Sequence, residues 1–264
     1  MDGLGKDFPK RHLTLYCFDL DGTLAESKKE VHPLMKKELS MLLKKGTVAV
    51  FSGAGLHQFL VQLLTGLSMP VKSSIYIVPT NGSACYHING LGQHTRKWKL
   101  DFGFLEKVHI GGQLVNAIKA ALGEFPKPHS DPFEDRDGQI TWSALGQNAP
   151  LEEKKKWDPD KTKRLKIVRI LRESFKGQYQ VSLGGTTSID ITMKGVDKAS
   201  ALEILMEHLK PSKVYYVGDD LGPGGNDECI KRVPFVECKE VSGPSETLGL
   251  IMRWNDEKGS ITKE

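Results

Sequence analysis

The first part of the chain alternates short apolar runs with longer amphipathic segments. The runs LTLYCF (13–18) and TVAVF (47–51) predict β-strands, and SIYIVPTNGSACY (74–86) predicts a further strand followed by a turn. Between them, LMKKELSMLLKK (34–45) carries leucines at helical spacing, and LHQFLVQLLT (56–65) predicts a second helix. This order of elements is typical of parallel strands joined by helical crossovers.

Small residues mark the ends of these elements. Gly46 is placed to end the first helix, immediately before the second strand. Ser52 and Gly53 follow the second strand and open the second helix. The pair Asn81 and Gly82 follows the third strand and predicts a hairpin that leads out of the core.

From about residue 90 to residue 192 the chain is more polar and mixes helix-like with strand-like segments. QITWSAL (139–145), YQVSL (179–183) and SIDITM (188–193) predict strands. The charged run EEKKKWDPDKTKRLK (152–166) predicts a solvated helix face. This mixed order predicts an α+β unit inserted into the first domain.

The α/β rhythm returns past residue 193. KASALEILMEHL (198–209) predicts an amphipathic helix, and KVYYVGDD (213–220) and PFVEC (234–238) predict strands. We therefore predict an α/β fold in which a Rossmann-like parallel-sheet core domain carries an inserted α+β cap domain. The expected boundaries are 1–89 and 193–264 for the two parts of the core domain and 90–192 for the cap domain.

Composition and charge narrow the classes of function. The 264 residues carry a formal net charge of +4, which is spread over many lysines and gives little support for nucleic-acid binding beyond the lysine run at 154–166. Its four cysteines show no CxxC spacing, which predicts a reduced, cytoplasmic setting. The N-terminal segment MDGLGKDFPKRH is not followed by an apolar segment of signal length, and no run approaches a membrane span. We therefore expect neither nucleic acid nor a membrane as a partner.

Acidic and polar residues follow several predicted strands. Asp19 and Asp21 come after the first strand, Ser52 after the second, and Asp219 with Asp220 after the strand that begins near residue 213. A DG pair by itself is a common turn signal. In an open parallel sheet, however, the ligand crevice lies beyond the carboxyl ends of the strands. The spacing therefore predicts that these side chains share one crevice.

Carboxylates gathered in one crevice repel each other unless a cation lies between them. Oxygen ligands of this kind favour Mg²⁺, so the pattern predicts a magnesium site. The segment GDDLGPGGNDE (218–228) adds Asn226 and Asp227 on a glycine-rich loop that is able to fold back towards the same ion.

Four motifs occur in order along the chain: FDLDGT (18–23), SG (52–53), an isolated lysine and GDD followed by GGND (218–227). In order and approximate spacing they resemble the motifs of the haloacid dehalogenase superfamily of phosphotransferases. The resemblance implies that Asp19 is the nucleophile that forms an aspartyl-phosphate and that Asp21 is the general acid and base. It also implies that Ser52 hydrogen-bonds the transferring phosphoryl group and that Lys198 neutralises charge on Asp19 and the phosphate.

The resemblance implies a metal centre as well. Asp219 would hold Mg²⁺ together with Asp19 and the backbone carbonyl of Asp21, supported by Asn226 and Asp227. The physical requirement is clear, because a carboxylate that attacks a phosphate dianion faces like-charge repulsion. A metal ion and a lysine screen that repulsion.

Three segments, FEDRDGQITWSALGQNAP, GGTTSIDITMKGVDKASAL and GDDLGPGGNDE, resemble the eukaryotic-type phosphomannomutases. In that family the cap holds the distal phosphate and the hydroxyl groups of a hexose phosphate. Arg136, Ser188 and Asp190 match ligand positions of the family, and a guanidinium suits phosphate because it offers a bidentate fork. The resemblance thus gives an expected substrate-binding set of Gly53, Arg136, Gln147, Asn148, Ser188 and Asp190.

The chain departs from that family at three positions where the mutases carry arginine, namely Lys28, Gln147 and Lys154. Lysine keeps the positive charge but cannot bind a phosphate through two parallel N–H groups, and glutamine keeps neither property. A mutase must hold both phosphates of a hexose bisphosphate, whereas a phosphatase needs one phosphate at the nucleophile and a water molecule. We therefore expect Mg²⁺-dependent hydrolysis of a hexose phosphate.

Two alternatives stay open. The first is a phosphomannomutase that interconverts mannose 1-phosphate and mannose 6-phosphate. The second is a binding module without catalysis, against which the intact Asp19 and Asp21 argue. A phosphorylated sugar is the expected partner in the enzymatic cases, and a homodimer formed through the cap is a further expectation.

Overall fold

The computed structural model describes residues 13–257. The expectation drawn from MDGLGKDFPKRH concerns residues 1–12, which lie outside the described range, as do residues 258–264. The strands are β1 (Thr14–Asp19), β2 (Thr47–Phe51), β3 (Ser74–Val78), β4 (Ala84–Asn89), β5 (His94–Lys99), β6 (Phe133–Asp135), β7 (Gln139–Ser143), β8 (Tyr179–Gly184), β9 (Ser188–Met193), β10 (Lys213–Gly218) and β11 (Val236–Glu240). The helices are α1 (Pro33–Leu42), α2 (Leu56–Phe59), α3 (Phe104–Leu122), α4 (Leu151–Trp157), α5 (Thr162–Phe175), α6 (Lys198–Leu209) and α7 (Pro244–Asp256).

The core is a seven-stranded sheet in the order β11-β10-β1-β2-β3-β4-β5, parallel from β11 to β3. Strand β1 lies between β10 and β2, with Phe18 in register with Val217 and Val50. Tyr16 and Phe18 pack in the cluster formed with α1 and α7, whereas Leu15 packs in the cluster formed with α6. Because both faces of β1 are buried, its sequence is a continuous apolar run. The predicted parallel α/β core is confirmed.

Two predicted helix features differ in the structure. The segment 56–65 forms α2 and then a π-helical turn over Leu60–Leu64, in which Thr65 N donates to Leu60 O over 3.0 Å. Gly46 does not cap α1, which ends at Leu42. Glycine is needed at position 46 because a Cβ there would overlap the backbone carbonyl of Thr14 on β1.

The predicted hairpin after β3 is present, but it continues the core sheet. Strand β4 is antiparallel to β3, with Ile75 opposite Ile88, and β5 is antiparallel to β4. The turn between β4 and β5 is closed by Asn89, whose Oδ1 accepts from the backbone N–H of Leu91 and Gln93. Strand β5 therefore belongs to the core sheet although it lies in the range predicted for the cap, 90–192, and we propose that the cap begins after Lys99.

The cap is a four-stranded antiparallel sheet in the order β6-β7-β9-β8, with α3 and α5 packed on it. Trp142, Phe175 and Ile189 lie in its buried cluster. The charged run 152–166 forms α4 and the start of α5, but it is not wholly a solvated face, since Arg164 is only 2% exposed. None of the helices in the described range is long and apolar enough to cross a membrane.

Candidate active site

The carboxyl ends of the parallel strands face the cap sheet across a cavity of about 1020 Å³. Strand β1 ends at Asp19, β2 is followed by Ser52, and β10 is followed by Asp219. The predicted residues that line the cavity are Asp19, Asp21, Ser52, Gly53, Arg136, Gln147, Ser188, Asp190, Asp219 and Asn226. The predicted meeting of strand ends at one crevice is therefore present in the structure.

Three carboxylates form an acidic cluster at the base of this cavity. Asp19, Asp219 and Asp227 each place one carboxylate oxygen so that the three atoms lie within 4.8 Å of one another. Oδ2 of Asp19, Oδ2 of Asp227 and Oδ1 of Asn226 are buried without a hydrogen-bond partner in the described part of the chain. Buried oxygens without donors are costly, and a divalent cation would satisfy them. The donor set therefore fits a hard, oxygen-ligated metal ion.

The loop after β1 approaches the acidic cluster closely. Gly22 has φ of +90°, and a Cβ on it would overlap the carboxylate of Asp219. Thr23 donates its hydroxyl to Oδ1 of Asp219 over 3.3 Å. Two residues of the sequence DGT therefore shape the site. The glycine permits the tight turn and leaves room for the Asp219 carboxylate, and the threonine hydrogen-bonds that carboxylate.

Lys198 connects two members of the acidic cluster. It is the first residue of α6, and its Nζ donates to Oδ1 of Asp19 over 2.6 Å and to Oδ1 of Asp227 over 2.7 Å. Its side chain is 1% exposed. Burial disfavours the ammonium, but the charges of Asp19 and Asp227 outweigh burial and raise the pKa of Lys198, so this lysine is a fixed positive charge beside the predicted nucleophile.

Burial also dominates the electrostatics of the carboxylates. It raises the pKa of Asp19 well above its usual value, and Asp227 and Asp219 add to the shift while Lys198 opposes it. Asp219 is itself exposed, but the surrounding protein atoms still restrict water around its carboxyl and raise its pKa to about 6, with a further contribution from Asp227. Negative charge is therefore in excess over positive charge here, which is a second reason why the cluster suits a cation.

Asp21 is held in a separate place from the acidic cluster. Its Oδ1 accepts from the backbone N–H of Lys28 over 2.6 Å, and its Oδ2 accepts from Gln58 Nε2 over 3.1 Å. Gln62, on the π-helical turn, donates to Oδ1 over 3.3 Å. Sequence reasoning missed both glutamines, although their spacing of four in a predicted helix places them on one face.

The residues after β2 touch the cap. Ser52 is buried, and its Oγ accepts from the N–H of Ala54 over 3.0 Å. The carbonyl of Gly53 accepts from Gln139 Nε2 over 2.9 Å and from Nη1 of Arg136. Gly53 therefore joins the core to the cap sheet.

The guanidinium of Arg136 is less available to bind a phosphate than the sequence predicts. Its Nε and Nη2 both donate to Oε2 of Glu134, over 2.8 and 2.7 Å. Glu134 was missed, although residues two apart on a strand share a face. Because two of its nitrogens already donate to a carboxylate, Arg136 has fewer N–H groups available to bind an anion than a free guanidinium has.

Asp190 is fixed by two partners instead of being turned freely to a ligand. Asn81 Nδ2 donates to its Oδ2 over 2.9 Å, and Thr141 donates to its Oδ1 over 2.8 Å. Burial raises its pKa. Asp190 thus joins the cap to the core through Asn81, while the half-buried Ser188 lines the cavity. Asn148 is exposed and is not among the residues lining the cavity, so its place in the site stays a prediction.

Three residues lie together where the phosphomannomutases carry arginine, namely Lys28, Gln147 and Lys154. Lys28 Nζ donates to the carbonyl of Gln147 over 3.0 Å and to its Oε1, and Lys154 Nζ donates to the same carbonyl over 2.8 Å. Partial burial, with the nearby charge of Lys154, lowers the pKa of Lys28 to about 8, and burial lowers the pKa of Lys154. Two ammonium groups that meet at one carbonyl oxygen form a site of concentrated positive charge.

The geometry defines the class of the protein. A buried aspartate that ends the central parallel strand, a lysine bonded to it, an acidic cluster able to hold a cation, and an inserted cap over the same cavity are the features of a haloacid dehalogenase-superfamily phosphotransferase. The chain is an enzyme of that superfamily, in the group of phosphatases and phosphohexomutases.

The chain belongs to the eukaryotic phosphomannomutase family, whose sequence profile matches residues 35–253. It is 30% identical over 243 residues to the phosphomannomutase of Triticum aestivum, with 89% of this chain and 92% of that protein covered. It is 29% identical over 241 residues to the phosphomannomutase of Arabidopsis thaliana, covering 88% of this chain and 92% of that protein. A solved structure of N-terminally truncated, IMP-bound Plasmodium falciparum IMP-nucleotidase shares the fold, with a TM-score of 0.67, 19% identity and coverage of 92% of this chain and 69% of that chain.

Proposed function

We propose that this protein is a phosphomannomutase that moves a phosphoryl group between the 1- and 6-oxygens of a hexose phosphate. The observation that carries the proposal is the meeting of Lys28 and Lys154 at Gln147, in the same cavity as Asp19. A phosphatase needs one phosphate site, whereas a mutase needs a second anion site opposite the nucleophile. Membership of the phosphomannomutase family supports the same proposal.

The chemistry begins at Asp19. An oxygen of its carboxylate forms a bond to phosphorus while the bond from phosphorus to the sugar oxygen breaks. Lys198, 2.6 Å from Oδ1 of Asp19, stabilises the negative charge on this carboxylate and on the phosphoryl group. The products of the first step are an aspartyl-phosphate and a sugar hydroxyl.

Asp21 supplies the proton that the leaving sugar oxygen needs. Gln58 and Gln62 hold its carboxyl group beside the cavity through amide N–H groups. In the return step the carboxylate of Asp21 takes a proton from the free hydroxyl of a hexose monophosphate, whose oxygen then attacks the phosphoryl group on Asp19 to give a hexose bisphosphate. Asp21 therefore returns to its starting state over the full cycle.

Asp19, Asp219 and Asp227, together with the amide oxygen of Asn226 and the carbonyl of Asp21, would hold Mg²⁺. The buried oxygens without donors on Asp19, Asp227 and Asn226 support this ligand set. When bound, the ion supplies positive charge that offsets the repulsion between the carboxylates and the phosphate.

The phosphate that is not reacting binds between the cap and the loop after β1. Lys28 of that loop and Lys154 of the cap provide two ammonium groups, and Arg136 adds the N–H groups that are not bonded to Glu134 or Gly53. The hexose bisphosphate formed in the return step must turn over in the cavity and present its other phosphate to Asp19. Lysines suit this exchange, because an ammonium binds phosphate as a point charge without fixing its orientation.

Hydrolysis is the second candidate, and a specific observation favours it. Gln147 is neutral, and both lysines already donate to its carbonyl. If water reaches the aspartyl-phosphate before the hydroxyl of a bound hexose phosphate attacks it, water takes the phosphoryl group from Asp19 and free phosphate is released. We place the mutase before the hydrolase, which reverses the expectation based on sequence. The reason is that the family match and the paired lysines both support a second phosphate site.

The test measures isomerisation and hydrolysis in one reaction. The purified full-length protein is incubated with Mg²⁺, mannose 1-phosphate and a catalytic amount of a hexose bisphosphate, and mannose 6-phosphate and free phosphate are quantified separately. We expect mannose 6-phosphate to form faster than phosphate. Faster release of phosphate, with no isomer above the level without protein, would overturn the proposal in favour of hydrolysis.

A further inference from the structure

Tyr216 is a buried tyrosine beside the acidic cluster, and the proposed reaction does not use it. It lies on β10 two residues before Gly218, and its ring packs against Phe51 with centroids 5.7 Å apart. Its side chain is 0% exposed. A buried phenol needs a hydrogen-bond partner, and here the hydroxyl donates to Oδ1 of Asp227 over 2.6 Å.

Two donors meet at the same oxygen of Asp227. Lys198 Nζ donates to Oδ1 over 2.7 Å, in addition to the hydroxyl of Tyr216, while Oδ2 is buried without a partner in the described part of the chain. Rotation of the carboxylate away from this orientation would break both bonds. The pair of donors therefore fixes the orientation of the Asp227 carboxylate and leaves its second oxygen without a donor.

Gly218 makes this arrangement sterically possible. A Cβ on Gly218 would lie 2.5 Å from Oδ2 of Asp227 and 3.2 Å from Cε1 of Tyr216. The carboxylate therefore approaches β10 at a point where only glycine leaves room. Tyr216 and Gly218 are two apart on the strand and act on Asp227 from the same face.

We propose that Tyr216 is a positioning residue of the metal site, whose hydroxyl orients Asp227 so that Oδ2 faces the cation. The inference rests on the proposed Mg²⁺ site. Hydrogen-bond partners of metal ligands typically contribute 10–100-fold to metal affinity or activity, and Lys198 remains on Asp227 when the hydroxyl is removed, so we expect an effect of about tenfold.

The test compares Mg²⁺ binding by two tyrosine variants. Tyr216→Phe removes the hydroxyl and keeps the ring. Tyr215→Phe makes the same change at the next residue, whose ring stacks on Tyr16 in the cluster on the other side of the sheet. Calorimetric titration of the full-length protein with Mg²⁺, without substrate, is expected to give a dissociation constant about tenfold higher for Tyr216→Phe and unchanged for Tyr215→Phe.

Other outcomes have distinct meanings. A purely structural role of Tyr216 would lower the urea midpoint of unfolding and leave Mg²⁺ affinity unchanged, and that result overturns the inference while the proposed function stands. If the unmodified protein bound no Mg²⁺, the proposed metal site would fail and the inference with it.

A measurement on the unmodified protein covers the case in which Tyr216→Phe does not fold. With ¹³C-labelled tyrosine, added Mg²⁺ is expected to shift the Cζ resonance of Tyr216, because its hydrogen-bond acceptor becomes a metal ligand. The Cζ resonance of Tyr215 is expected to stay in place. An unshifted Tyr216 resonance at saturating Mg²⁺ would overturn the inference.

Discussion

Lys161, between α4 and α5 of the cap, donates to both carboxylate oxygens of Asp220, which follows β10 of the core, over 3.0 and 3.1 Å. Asp220 also orders the glycine-rich loop, because its carbonyl accepts from Asp227 N over 3.1 Å and its Oδ2 accepts from Asn226 N over 3.3 Å. One ion pair therefore ties the cap to the loop that carries two of the proposed metal ligands.

Lys161→Met is expected to loosen the cap over the cavity. Partly exposed ion pairs contribute about 0.2–1 kcal/mol, so we expect the KM for mannose 1-phosphate to rise by no more than about fivefold. Free phosphate should increase relative to isomer, since water reaches Asp19 more readily. Lys166→Met, at an exposed lysine of α5, is the matched control and should change neither value. An unchanged product ratio in Lys161→Met would argue against a cap held by this pair.

The sequence predicted the parts of the fold that depend on local pattern. β2 and α6 have the predicted bounds, because a continuous apolar run and helical spacing of apolar residues both follow directly from burial. Helix α3 was missed. Its buried residues do keep helical spacing, namely Ile110, Leu114, Ala117 and Ile118. However, Gly111 and Gly112 in its middle are poor helix formers and Phe104 at its start is 78% exposed, which obscures the pattern in the sequence.

The site was predicted where the motifs lie at strand ends, and was not predicted where core and cap meet. Asp19 and Asp219 come together because parallel strands place their carboxyl ends at one edge. The hydrogen bond between Asn81, which follows core strand β3, and Asp190, on cap strand β9, joins residues 109 positions apart, and no local sequence pattern predicts such a contact. The ion pair of Lys161 was not predicted, because this lysine lies in the charged run 152–166, for which the sequence predicted only a solvated helix face.

Asp219→Ala is expected to weaken Mg²⁺ binding and turnover together. The substitution removes one of the three carboxylates of the acidic cluster, and the remaining ligands leave the phosphoryl charge poorly screened. Calorimetric titration with Mg²⁺ and the isomerisation assay measure the two effects. Glu237→Ala, at an exposed acid on β11, should leave both unchanged. Full activity of Asp219→Ala in a thoroughly chelated sample would contradict the assignment of the cluster.

Gln147→Arg is expected to favour isomerisation over hydrolysis. A charge-assisted hydrogen bond contributes about 1.5–3 kcal/mol, so the ratio of isomer to free phosphate should rise by about tenfold or more. The substitution removes the side-chain oxygen to which Lys28 donates, whereas the backbone carbonyl that accepts from Lys154 is kept. Gln178→Arg, at an exposed position of the cap, adds the same charge away from the cavity. An equal rise in both variants would point to general electrostatic attraction and not to a phosphate site.

Arg164→Met is expected to lower the stability of the cap. Arg164 Nε lies 2.8 Å from Oδ2 of Asp158, and Nη1 donates to the carbonyls of Gly184 and Gly185 in the turn before Ser188. Removing one partner of a buried ion pair costs about 3–5 kcal/mol. Urea unfolding measures the loss. A double variant that also replaces Asp158 by Leu should recover part of the stability, and no recovery would show that the contacts to the turn, not the ion pair, carry the effect.

The most direct test of the account is to find the phosphoryl group on Asp19. The full-length protein is mixed with Mg²⁺ and a hexose bisphosphate, quenched rapidly, and its peptides are examined by mass spectrometry. We expect one phosphoryl group on Asp19 in the unmodified protein, and neither a phosphoryl group there nor turnover in Asp19→Asn, whose amide cannot attack phosphorus usefully. Turnover by a folded Asp19→Asn variant, or a phosphoryl group carried by a different residue, would contradict the account.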